Sequence, residues 1–210
     1  MIVSLLALAV ALPLVGDALR RLERRALDRT DLALWIGLTV AMLGAHTMTI
    51  ALPGAPVLGF QGAAFLAIVL GYCRAVLSLA LVLALTVPPM QWGSGVLVDA
   101  LLPVWSACVL AALLRRYGPQ NLFVFLFGMG VFAVFAIGAV QLAAGFALDA
   151  LRAAPGVATV GTSDAFAYGL LLLGGEATLA GMVITVLVVY LPRRVALFDD
   201  DHYLSAGRAM

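Results

Sequence analysis

The feature that most constrains this chain is the length of its apolar runs, because a helix that crosses the hydrocarbon layer of a bilayer needs about 20 consecutive, predominantly apolar residues. Residues 57–87 form a near-continuous run that is too long for one crossing, with a natural break at the "GYCR" of Gly71 to Arg74. Split there, the chain reads as seven segments: 2–19, 32–52, two short helices within 57–87, then 96–114, 122–148 and 165–191. The connections carry turn chemistry or charge, namely "RRLERRALDRTD", "PGAP", "PPMQWGSG" and "RRYGPQ". The expected fold is all-α, a polytopic transmembrane bundle of about seven helices over residues 1–191, closed by a cytoplasmic polar tail at 192–210.

Composition points the same way. The chain is 64% apolar and 11% charged, against about 45–50% and 25% in a soluble domain. Disorder is excluded by that apolar excess. A net charge of +1 with scattered charges excludes nucleic-acid binding as a main role, since phosphate neutralisation needs a clustered basic face. Cys73 and Cys108 lie inside apolar segments, where a disulfide framework is out of place.

Arginine placement tests the segmentation independently, because cytoplasmic loops near helix ends are enriched in basic residues. With the N-terminus outside, the inner side holds Arg20, Arg21, Arg24, Arg25, Arg29, Arg74, Arg115, Arg116, Arg193, Arg194 and Arg208, which is eleven of twelve; only Arg152 falls outside. Merging the third and fourth helices would invert everything downstream and destroy that asymmetry. The first segment has an alternative reading as a cleaved signal peptide, but no basic region precedes its apolar stretch. The chain is expected to cross a membrane several times.

Chemistry must then come from polar residues within apolar runs, where each is costly enough to suggest a role. In this topology His46 and Met48 sit in the outer third of the second helix, Gln61 in the outer part of the third and Asp99 in that of the fifth. Met90, Gln91 and Trp92 precede the fifth helix. Gln141 lies toward the outer end of the sixth, Asp164 at the outer mouth of the seventh and Glu176 near its middle. Most of this polarity belongs to the outer half, the arrangement expected of a site loaded from outside.

Each residue also has a plainer reading. His46 serves equally as a hydrogen-bonding partner between helices or as a metal ligand; Met48 adds a soft sulfur suited to copper or another late transition metal, or simply packs. Gln61 reads as interhelical glue or as a substrate contact, and Asp99 as a carboxylate reaching interfacial water or as a ligand. Glu176, deep in its helix, reads as an internal hydrogen-bonded pair that holds helices together. "FDDDHYL" belongs to the polar tail, where a solvated or partner-facing role outweighs a metal site. No spacing of a structural zinc site occurs. Nor is there a Walker lysine, since the chain has no lysine, and neither G-x-S-x-G nor H-E-x-x-H is present. The chain is therefore not expected to be an enzyme.

Three stretches carry a family resemblance. "GGEATLAGMVITVLVVYLPRRVALFDDDHYL", from Gly174 to Leu204, resembles the last helix and tail of the CbiM-like permeases of energy-coupling factor (ECF) ABC transporters. "RRYGPQNLFVFLFGMGVF" is similar to the cytoplasmic turn and next helix of the divergent proteobacterial branch, and "GFQGAAFLAIVLGYCRAVLSLALVLAL" to the paired short helices of the family. The resemblance implies a substrate-binding membrane component that captures cobalt or nickel and is driven by partner subunits, an ECF coupling subunit and ABC ATPases. It also implies a bacterial inner membrane as the location, and no cofactor of the chain's own, only a transported metal ion.

The ligands depart from the family pattern. Its members begin Met-His-Ile-Pro-Asp-Gly and ligate metal through the terminal amine and that histidine, whereas this chain begins "MIVSLL"; Gln61 stands where a further family histidine would be, and "WGSGVLVDALLP" lacks an asparagine. A relocated outer site would use His46, Met48, Gln61 and Asp99. Arg115, Arg116, Arg193 and Arg194 would dock the partner, and Glu176 is the matched polar residue of the scaffold. The alternative is a non-transporting docking or assembly subunit that kept the fold and lost the metal site.

Overall fold

The computed structural model describes residues 2–23, 28–50, 58–88, 95–152 and 162–204. Within these, six long helices account for almost all of the structure: α1 (Ile2–Glu23), α2 (Arg29–Thr47), α3 (Ala63–Thr86), α4 (Val96–Tyr117), α5 (Leu122–Phe127, Gly128–Ala133 and Val134–Arg152 in series) and α6 (Thr162–Tyr190). A 3₁₀ turn, Pro192–Arg194, and a short helix α7, Asp200–Leu204, follow. A two-residue antiparallel pair, Thr49–Ile50 with Leu58–Gly59, ties the exit of α2 to the entry of α3. Helices α3, α4, α5 and α6 are each long and apolar enough to cross a membrane.

The count of helices is six rather than the expected seven. The third and fourth segments follow one another with no loop between them and are counted together as α3, which is two helices joined at a kink where the break was expected: Gly71 leaves the helix with φ 76°, ψ 175°. That combination belongs to a backbone region occupied essentially by glycine alone. A side chain at Gly71 would also stand 3.0 Å from the Ala196 Cβ. We refer to residues 63–70 as the half-helix and to 72–86 as the second part of α3.

α3 is the centre of the bundle. Its most apolar stretch is 61% buried, against 39% for α4, α5 and α6, and it packs against α1, α2 and α4. Lipid tails are as apolar as these side chains, so close packing and hydrogen bonds hold the helices together rather than any hydrophobic drive between them. The contact of α5 with α6 shows how. A Cβ at Gly130 would lie 3.4 Å from the Gly181 Cα, and one at Gly181 2.5 Å from the Val131 side chain. The two backbones approach where neither residue carries a side chain.

Two helices contain a π turn, Val96–Leu101 at the start of α4 and Gly128–Ala133 within α5. π turns occur often at functional sites. The first carries Asp99.

Candidate functional site

The interruption of α3 leaves backbone groups without intrahelical partners at both ends of an eight-residue helix, and at membrane depth such groups must be satisfied by protein. At its start the partner is Glu176. The Glu176 carboxylate, 5% exposed and halfway along α6, accepts the Gln61 N–H on Oε2 at 2.9 Å and the Gly62 N–H on Oε1. Gly62 is left-handed, φ 46°, and a Cβ there would stand 2.5 Å from the Met42 sulfur of α2. At the other end the tail supplies the partners. The Ala196 N–H donates to the Val69 carbonyl at 2.9 Å and the Leu197 N–H to the Ile68 carbonyl at 3.1 Å.

Charge gathers beside that second end. Asp28 caps α2, accepting from the Arg29 N–H at 2.7 Å and the Thr30 hydroxyl at 2.8 Å. Arg194 reaches across from the tail to Asp28, at 3.1 Å, and to Asp31, which also faces Arg74 at 3.5 Å. Hydrogen bonds from Thr30, Arg194 and the Arg29 amide hold the Asp28 carboxyl below the usual aspartate range, while Asp31 and Asp28 together raise the Arg194 guanidinium. Further along, the buried Ser78 hydroxyl accepts from Trp35 Nε1 at 2.8 Å and lies 2.8 Å from the Thr39 hydroxyl.

The candidate ligands lie elsewhere. His46 is half-buried at the end of α2 with Nδ1 buried and unpartnered, and Met48 is 77% exposed. Gln61 contributes its backbone amide to Glu176. Asp99 accepts from the Gln141 side chain at 3.2 Å, and Gln141 itself is buried. Asp164 is exposed at the start of α6. Met90, Gln91 and Trp92 lie outside the described residues. Among the described residues, no three His, Cys, Asp or Glu side chains cluster closely enough to hold a metal ion.

The arginines named for docking differ from one another. Arg115 stands 4.0 Å from Asp199, Arg116 lies over the Tyr117 ring, and Arg193 is exposed. Arg194, by contrast, is spent inside the chain on Asp28 and Asp31. Reading the sequence did not single out Asp28, Asp31 or Ser78. A signal existed for Asp28, because "DRTDLALW" places capping residues directly before an apolar run.

No family model matches the chain, and neither a curated protein nor a solved structure matches it.

Proposed function

We propose that the chain is the substrate-binding membrane permease component of an ECF-type ABC transporter, taking up a transition-metal ion of the cobalt or nickel class while partner subunits hydrolyse ATP. The observation that carries this reading is the interrupted α3. Transporter sites are characteristically built on discontinuous helices whose ends are satisfied inside the bundle, and here a carboxylate from α6 caps one. The resemblance of Gly174 to Leu204 to CbiM-like permeases is the second support.

In this reading the chain crosses the bilayer seven times with its N-terminus outside. The order of contacts along α2 supports a reversal at Gly71: Arg74 faces Asp31, Ser78 meets Trp35 and Thr39, and Gly62 meets Met42. A straight α3 would separate Gly62 from Ser78 by about 24 Å, whereas Met42 and Thr39 are only about 4.5 Å apart along α2. The half-helix therefore runs antiparallel to α2 and the second part of α3 parallel to it. The eight residues of the half-helix, Ala63 to Leu70, cover about 12 Å, part of the hydrocarbon thickness of about 30 Å. The arginine loops and tail then share the cytoplasmic face, where basic residues concentrate.

The solute would bind at the far end, at His46, Met48, Gln61 and Asp99. A second reading has its own support. Glu176 is engaged by two backbone amides, one on each oxygen, and no cluster of three classical ligands stands among the described residues, as in a docking or assembly subunit that kept the scaffold. Thermal melting of the purified chain with cobalt, nickel and copper separates the two. Transport predicts a metal-dependent rise in melting temperature that disappears in His46→Ala and in Asp99→Ala. Melting curves that ignore all three metals, together with co-purification of a partner by the His46→Ala chain, would establish the second reading.

A further inference from the structure

An eight-residue helix is too short to be stable in isolation, so the half-helix depends on what holds its two ends. Both holds come from one stretch of chain. Glu176 on α6 takes the amides at 61 and 62, and the residues after α6 return to cap the carbonyls of Ile68 and Val69. That return is itself packed down. Val195, Leu197, Phe198 and Tyr203 are buried, and the Phe125 ring at the start of α5 lies 5.0 Å from Phe198 and 5.1 Å from Tyr203. Phe198 and Tyr203 stack at 5.6 Å. Arg194 fastens the same stretch to α2.

We propose that residues 192–204 are a strap, a conformational device that holds the half-helix from its Ile68–Val69 end and whose release opens the Glu176-held end at Gln61 and Gly62. A disturbance at the arginine-rich face is thereby felt halfway along α6, some 12 Å away through one rigid helix of eight residues at about 1.5 Å each. The tail is a structural part of the bundle rather than a solvated extension. Val195, Leu197, Phe198 and Tyr203 form an apolar seam along it, and Arg193 is exposed. The strap operates whether or not the chain carries a solute, so it stands apart from the transport reading.

Hydrogen exchange followed by mass spectrometry on the full chain in detergent micelles tests it. Ala196→Pro removes the donor to Val69 and leaves Glu176 untouched. The peptide covering Gln61 to Leu66 is expected to exchange about five- to tenfold faster, the change that loss of one such hydrogen bond produces, while peptides from 134–148 keep the parent rate. Tyr203→Ala, which retains both donors and removes the aromatic seal, should accelerate the same peptide by a smaller factor. Parent-like exchange at 61–66 in both chains overturns the strap, as does acceleration in Tyr203→Ala spread evenly over all helices. Should Ala196→Pro loosen the whole chain, Tyr203→Ala alone decides, by the same outcomes.

Discussion

The half-helix with its tail and the exit of α2 at His46 and Met48 are held in opposite ways. Around the half-helix, α2, α3, α6 and the tail meet through Glu176, the Asp28–Asp31–Arg194–Arg74 group and two backbone bonds from the tail. At the exit of α2 Met48 is open, His46 keeps a buried nitrogen without a partner, and a two-residue strand pair joins α2 to α3. Regions with few buried contacts open first, and ligand sites are drawn from that end of the range. Satisfied hydrogen bonds around the half-helix stand against an unpartnered His46 nitrogen and an exposed Met48 at the exit of α2.

The comparison breaks most directly at Glu176. In Glu176→Leu the Gln61 and Gly62 amides lose their acceptor inside the bundle, and an orphaned buried donor costs about 1–3 kcal/mol, or about 2–6 kcal/mol for the pair. Unfolding in a detergent and denaturant series should show this as the largest loss of any single side chain, with Glu176→Gln, which keeps one acceptor oxygen, losing less. A Glu176→Leu chain as stable as the parent would remove the contrast between the two regions.

Gly71→Ala should cost about 1–3 kcal/mol, because its φ and ψ lie where only glycine is at ease and a methyl group would press on Ala196. Gly145 of α5 provides the control, since a Cβ there meets nothing within 4 Å. Gly145→Ala should match or slightly exceed the parent in melting temperature, as helix propensity predicts. Equal losses at the two positions would mean that the interruption of α3 carries no special constraint.

These positions also show which features a sequence can disclose. The break at Gly71 was legible because the apolar run was too long and a glycine stood within it. That the two parts follow one another with no loop between them was not legible, since it depends on backbone angles at a single residue. Glu176 announced itself as a costly charge among apolar residues, but its partners are backbone amides, which have no sequence signature. The tail misled for a related reason: "FDDDHYL" is polar in composition, and its two aromatic residues are what bury it against Phe125. Arg194 pairs with aspartates more than 160 positions away, beyond the reach of any local pattern. The π turns likewise leave no mark in composition. They shift the register of α4 and α5 without altering residue types.

The smallest expected effect sharpens the charged side of the comparison. Asparagine caps a helix as well as aspartate does, so Asp28→Asn keeps the Arg29 amide bond at the start of α2 while removing the charge facing Arg194 and the second acceptor oxygen shared by Thr30 and Arg194. Asp28 is held below the usual aspartate range first by the Thr30 hydroxyl, then by Arg194 and the Arg29 amide. A group whose folded value is depressed contributes stability above its unfolded value and loses it as the pH falls through the folded one. The parent should therefore melt slightly above Asp28→Asn at neutral pH, and the two curves should converge as the pH is taken below the ordinary aspartate range. Exposure and salt screening keep the gap small, and it should shrink further in high salt. A gap that persists unchanged at acid pH would mean that the Arg194 contact acts through packing of the tail rather than through charge.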